Sequence, residues 1–70
     1  MNELLNKAER WLAELGIRTI ARPTCLMVNR DDVTTLGDSN ELLKELRSAL
    51  GTNKFYWASF DDNHYYLDVW

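Results

Sequence analysis

The residues best suited to chemistry stand in two acidic segments. The first segment is Asp31 and Asp32, and the second is Asp61, Asp62, Asn63 and His64. Histidine and aspartate can bind metal ions, and histidine can also transfer protons. Their spacing here matches no ligand motif, and Asp and Asn are common in turns because their side chains bond to their own backbone. The pattern therefore predicts turns, and we assign no metal ligands.

The sequence also offers few candidate catalytic nucleophiles. Cys25 is the only cysteine and stands in an apolar run, so it fits a small core residue better than a reactive thiol. A single cysteine also rules out a disulfide within the chain and a thiolate zinc site. The sequence has no Gly-rich phosphate loop, HExxH, GxSxG or CxxC motif. We therefore expect a protein that is not an enzyme and uses no cofactor.

The aromatic residues point to binding instead. Residues 54–60 and 64–70 are dense in aromatic and β-branched side chains, and the residues between them are turn formers. This pattern predicts a β-hairpin with bulky side chains on both faces. Because a face that no helix covers would expose several aromatic side chains, the hairpin is the predicted binding element.

The register of the hairpin decides which side chains are exposed. A two-residue turn at Asp62 and Asn63 predicts the pairs Phe60 with Tyr65, Ala58 with Leu67, and Tyr56 with Val69 on one face. The partner-binding residues predicted on the other face are Phe55, Trp57, Tyr66, Asp68 and Trp70. Asp61 and Asp62 join them as an acidic rim. A three-residue turn would instead exchange the faces of residues 54–60.

Two amphipathic helices must support this hairpin. Apolar residues recur at helical spacing over residues 3–15 and again over residues 38–50. Asn2 and Asp38 are suitable N-caps, and Gly16 and Gly51 stand where helices commonly end. The tetrapeptide Asn-Glu-Leu-Leu opens both segments, which indicates either a degenerate duplication or two similar solutions to starting a leucine-rich helix.

The rest of the chain predicts two further strands. Residues 17–21 and 24–30 are rich in β-branched and apolar side chains, and Pro23 belongs at the bend between them. Residues 33–36 are interpreted as a loop, with a third short strand as the alternative. The fold class is therefore α+β, with the order αββαββ and two amphipathic helices packed on one face of a four-stranded, mainly antiparallel sheet.

The length and charge of the chain limit the functions that it can have. The chain has 70 residues and a hydrophobic fraction of 46%, which predicts one domain over residues 1–70. No apolar run is long enough to cross a bilayer, so we expect no membrane partner and a cytoplasmic location. The net charge is −3, and all of this excess falls in residues 38–70. This distribution disfavours nucleic acid and favours a protein partner with a basic surface.

Three functions are compatible with these sequence features. The first is a small non-enzymatic protein that binds a larger protein, for instance an inhibitor that blocks a nucleic-acid-handling host complex. In size and acidity the chain resembles inhibitors encoded by phages and mobile elements, such as anti-CRISPR proteins, although no motif is shared. The second is a single-stranded nucleic-acid binder that stacks bases on an aromatic sheet face. The third is a structural homodimer that buries this face against its own copy.

Overall fold

Both predicted amphipathic helices are present and are capped by the expected residues. The computed structural model describes residues 2–70, and in it α1 spans Glu3–Glu14 and buries Leu5, Ala8 and Leu12. The Leu4 backbone N–H donates to Asn2 Oδ1 over 2.7 Å, which satisfies a donor that the first helical turn leaves unpaired. Gly16 follows the helix with φ of +79°, a left-handed conformation that glycine adopts at little cost.

The second predicted helix carries a similar stripe of leucines. It spans Ser39–Leu50, is labelled α3 because another helix precedes it, and buries Leu42, Leu43 and Leu46. Asp38 is its N-cap and accepts from the backbone N–H of Asn40 over 3.1 Å. The repeated tetrapeptide therefore occupies different positions in the two helices: Asn2 caps α1, whereas Asn40 already lies inside α3.

Four antiparallel strands form one sheet. Their bounds are β1 Thr19–Ala21, β2 Leu26–Asn29, β3 Phe55–Phe60 and β4 His64–Val69, in the order β1-β2-β4-β3. The Arg22 backbone N–H donates to the Cys25 carbonyl over 2.9 Å, so Pro23 lies in a tight turn, as predicted. The predicted α+β fold and its αββαββ arrangement are confirmed, with the second strand of each half at the centre of the sheet.

The helices pack on the sheet, and the hydrophobic core lies between the helices and the sheet. The buried side chains form one cluster, in which α1 and α3 contribute leucines and the strands contribute Leu26, Val28, Phe55 and Leu67. Burying each such side chain contributes about 1.5–3 kcal/mol. None of the helices in residues 2–70 has the length and apolar character needed to cross a membrane.

The interpretation of residues 33–36 as a loop is wrong. They form the end of a third helix, α2, which spans Arg30–Leu36 and buries Val33. Asn29 caps it by accepting from the Asp32 backbone N–H over 3.0 Å. The turn predicted at Asp31 and Asp32 is therefore also wrong, because both residues lie in the first helical turn of α2, where acidic groups are favourable. The β-branched residues 33–35 obscured these capping signals because such residues are poor helix formers.

The hairpin turn was predicted correctly, but most of its register was not. The Asp61 backbone N–H donates to the His64 carbonyl over 2.9 Å, which leaves a two-residue turn, and Phe60 pairs with Tyr65 as predicted. A register shift at Ala58 then follows. Leu67 consequently pairs with Trp57 rather than Ala58, and Val69 pairs with Phe55 rather than Tyr56. This β-bulge inserts one extra residue into β3. As a result, the side chains of residues 55–57 lie on the opposite faces from those predicted.

Candidate functional site

The sheet has a covered face and an open face. Directly paired residues share a face, and successive residues of a strand alternate between faces. Leu67 and its neighbour Leu26 are fully buried, so their face is the one under the helices. The covered face carries Phe55, Trp57, Tyr65, Leu67 and Val69 from the hairpin. The open face carries Ile20, Met27, Tyr56, Tyr66, Asp68 and Trp70.

A stacked aromatic pair on the open face includes its highly exposed residue Trp70. The rings of Tyr56 and Trp70 lie 4.3 Å apart between centroids and are inclined by 18°. Trp70 is 79% exposed, and its backbone N–H donates to the Lys54 carbonyl over 3.0 Å, which continues the ladder beyond β4. The backbone bond and the ring stack together hold a large apolar surface in one orientation.

Tyr66 is fixed to the hairpin turn beside it. Its hydroxyl donates to Asp61 Oδ2, while Asp61 Oδ1 accepts from the backbone N–H groups of Asn63 and His64, each over 2.8 Å. The Tyr66 hydroxyl, followed by these two N–H groups, lowers the pKa of Asp61, and the Asp61 carboxylate raises the pKa of Tyr66. The carboxylate of Asp61 therefore stabilises the turn and orients Tyr66.

The other end of the open face is aliphatic. Ile20 is 51% exposed, whereas its cross-strand partner Met27 is buried. Arg22 Nε approaches Met27 Sδ at 3.1 Å, so the arginine side chain lies over the thioether. Arg22 is cationic and Asp68, which pairs with Tyr56, is anionic, so the open face combines apolar side chains with both signs of charge.

Two of the predicted partner-binding residues lie on the wrong side for that role. Phe55 is fully buried beneath the helices. Trp57 is half-buried on the same face, with its indole N–H donating to the Ser39 carbonyl over 3.1 Å. The bulge at Ala58 is the physical reason, and it puts Tyr56 on the open face in their place. Tyr66, Asp68 and Trp70 do lie together on that face, while Asp61 and Asp62 lie in the turn at its end.

A second aromatic cluster lies on the covered side of the hairpin tip. The Arg30 guanidinium stands 5.3 Å from the Tyr65 ring centroid and 5.5 Å from that of Phe60, within the range of cation–π attraction. Arg30 also donates to the Asp61 carbonyl over 2.7 Å. These contacts tie the start of α2 to the hairpin, although Phe60 remains 67% exposed.

The free edge of β3 is partly occupied by an arginine. Arg47 of α3 donates from Nε and Nη2 to the Phe55 carbonyl, over 2.9 and 2.7 Å. The Lys54 carbonyl faces β4, so in an antiparallel ladder the groups of the next residue, Phe55, face outward. Arg47 thus covers an outward carbonyl, and the bulge at Ala58 interrupts the edge further on. Both features oppose the addition of another strand.

The acidic segments do not assemble a metal site in the described chain. Within residues 2–70, no three His, Cys, Asp or Glu side chains lie close enough together to hold a metal ion. Asp32 instead pairs with Arg18, whose Nε and backbone N–H both lie 2.9 Å from Oδ2. The hydrogen bond from the Arg18 side chain is the main cause that lowers the pKa of Asp32, and this pair fastens α2 to the start of β1.

Comparison with known proteins adds no relative. No protein-family model matches the chain, and no curated protein or solved structure matches it either. The resemblance to phage-encoded inhibitors, based on size and charge, therefore stays a prediction.

Proposed function

We propose that this protein acts by binding a larger protein through the open face of its sheet. The observation that carries the proposal is the Tyr56–Trp70 stack, which stands on a face that the helices leave uncovered. Exposed aromatic side chains with a polar margin are typical of the residues that supply most of the binding energy in protein interfaces.

Preorganisation supports the same proposal. Tyr66 is held by Asp61, and Trp70 is held by its ring stack and its backbone hydrogen bond. Side chains that are already ordered lose less conformational entropy when a partner binds. A face-to-face contact also fits better than strand addition, because Arg47 and the bulge obstruct the edge of β3.

The overall charge suggests the character of the partner. The chain carries a net charge of −3, and its excess acidic residues all belong to the half that contains the hairpin. Asp62 and Asp68 place part of this charge at and beside the open face. We propose a partner with a basic surface, and in the more specific form of the hypothesis an inhibitor that occupies a nucleic-acid-binding surface of a host complex.

A capture experiment with three baits tests this role. The baits are the wild type, a Tyr56→Ala/Trp70→Ala double variant and a Phe60→Ala control, which removes an exposed aromatic ring from the other face. We expect one partner to be retained by the wild type and the control but lost by the double variant. Loss of a central aromatic anchor costs about 2 kcal/mol or more, which corresponds to roughly a 30-fold weaker complex.

Equal capture by all three baits would overturn the proposal, provided circular dichroism shows that each bait is folded. Two further measurements separate the alternatives. Tryptophan quenching by oligothymidine that weakens steeply with salt would instead indicate a single-stranded nucleic-acid binder. A mass in sedimentation velocity that doubles with concentration, and does so only when Tyr56 and Trp70 are intact, would indicate a homodimer.

A further inference from the structure

A groove on the helical side of the molecule forms a second candidate contact surface. It lies where the end of α1 meets α2 and the first turns of α3, and its volume is about 230 Å³. Val33 and Leu42 are buried and form its floor, whereas Leu15 and Leu36 are 42% and 56% exposed along its sides. The groove therefore offers an apolar bottom and room for a large apolar side chain.

One wall of this groove is acidic. Asp38, Glu41 and Glu45 all line it, and their spacing of three and four residues aligns them along one side of α3. The one ion pair within residues 2–70 joins Arg18 to Asp32, so none of these three carboxylates is in an ion pair with another described side chain. An apolar groove with this wall is complementary to a cationic segment with an apolar anchor.

The helix ends add to the negative potential. α1 and α2 both finish at the groove, with Leu15 and Leu36 in or next to their last turns, while α3 begins there. Each C-terminus carries roughly half a negative charge and each N-terminus roughly half a positive one, so two C-termini and one N-terminus leave a negative balance.

We infer that this groove binds a basic amphipathic helix of a protein partner, with an apolar side chain between Leu15 and Leu36 and Lys or Arg side chains along Asp38, Glu41 and Glu45. The groove lies on the helical side of the sheet, opposite the Tyr56–Trp70 stack. Both surfaces can therefore be occupied at once. This site is independent of the proposed role of the open face.

A designed peptide provides the test. The probe is a fluorescein-labelled peptide with leucines at helical spacing and Lys or Arg elsewhere, and its control has the same composition in scrambled order. In fluorescence anisotropy, we expect the amphipathic peptide to bind about tenfold more tightly than the scrambled one, and more weakly as salt rises. Equal affinity for the two peptides would show attraction by charge alone and would overturn the inference.

Matched variants localise the binding. Glu41→Gln/Glu45→Gln is expected to weaken binding about tenfold, whereas Glu3→Gln/Glu9→Gln, which removes the same charge from α1, is expected to change it less than about twofold. Leu36→Ser tests the apolar wall at an exposed position and is expected to weaken binding by roughly fivefold. If the Glu41/Glu45 variant and Leu36→Ser both bind like the wild type, the groove is not the site.

Two further readouts keep this site distinct from the open face. Tyr56→Ala/Trp70→Ala is expected to retain the affinity of the wild type for the peptide. Amide chemical shifts of the unmodified protein are expected to move at residues 33–45 when the peptide is added. Shifts confined to the hairpin would refute the groove and would leave the proposal for the open face standing.

Discussion

Both faces of the hairpin carry several aromatic side chains, but the covered face builds the core whereas the open face is left uncovered by the helices. On the covered face, Phe55 is fully buried and Trp57 donates its indole N–H to the Ser39 carbonyl. On the open face, Tyr56 and Trp70 stack on each other with no helix above them. Aromatic content alone therefore does not identify a binding surface, because the same residue types build the core one position away.

The β-bulge at Ala58 determines on which face each residue of β3 before it lies. Without a bulge, strict alternation would put Phe55 and Phe60 on opposite faces. With the bulge, both pair with residues on the covered side, namely Val69 and Tyr65. Substitutions at buried residues of the covered face should therefore destabilise the protein most, and substitutions at exposed residues of the open face least.

The largest expected effect is at the buried ring. Phe55→Ala removes a fully buried side chain and leaves a cavity, so we expect a loss of about 3–5 kcal/mol in the free energy of unfolding. Tyr56→Ala, one residue along, should cost only about 1 kcal/mol because it removes a half-buried ring from the stack on the open face. Urea unfolding followed by circular dichroism measures both. Similar losses for the two variants would contradict the division into faces.

The second largest loss of stability is expected when the hydrogen bonds between α3 and the edge of β3 are removed. Arg47→Ala removes two hydrogen bonds to the Phe55 carbonyl, so we expect a loss of about 1–3 kcal/mol. Lys44→Ala is the control, because it truncates an exposed cation of the same helix and should cost less than about 0.5 kcal/mol. The denaturant midpoints of the two variants should differ accordingly. If Lys44→Ala costs as much as Arg47→Ala, general charge rather than this contact stabilises the edge.

The indole hydrogen bond of Trp57 should have a smaller effect. Trp57→Phe keeps an aromatic ring on the covered face but removes the donor to the Ser39 carbonyl, and we expect it to cost about 1 kcal/mol. Thermal unfolding of the variant should show a lower midpoint with a native-like circular dichroism spectrum at 25 °C. An unchanged midpoint would mean that water replaces the indole donor without loss.

The hairpin turn should respond to acid. Because Asp61 has a lowered pKa in the folded protein, its contribution to stability is present above the ordinary carboxyl pKa of about 4 and is lost as the pH falls below it. Tyr66→Phe removes the main cause of this shift. The stability difference between wild type and Tyr66→Phe should therefore be greatest near neutral pH and shrink below pH 4. A difference that grows as the pH falls would contradict this assignment.

The smallest effect on stability should come from the most exposed ring. Trp70→Ala removes a side chain that is 79% exposed, and we expect a loss of about 0.5 kcal/mol in the free energy of unfolding. The same variant should weaken partner binding strongly if the open face is the contact surface. Chemical unfolding and a binding titration on the same sample make this comparison directly. A large loss of stability would instead show that Trp70 mainly stabilises the fold.

Local signals predicted the helical termini and the turns. Asn2, Asp38 and Gly51 are at or next to helix ends, and Pro23 and the Asp62–Asn63 pair form turns, because these preferences depend on a few neighbouring residues. The helix α2 was missed since two local signals disagreed there. The cap at Asn29 favours a helix, whereas Val33, Thr34 and Thr35 favour a strand. The Arg18–Asp32 ion pair and the burial of Val33, both tertiary contacts, support the helix.

The sequence by itself determined the α+β class, the order of the strands along the chain and the aromatic character of the hairpin. Only the tertiary structure decided that Phe55 and Trp57 lie inward while Tyr56 lies outward. The reason is that a strand's register depends on pairing with distant residues and on which side the helices cover. A bulge at one small residue, Ala58, lets Phe55, Trp57 and Phe60 all meet partners on the covered face, and no local pattern specifies that shift.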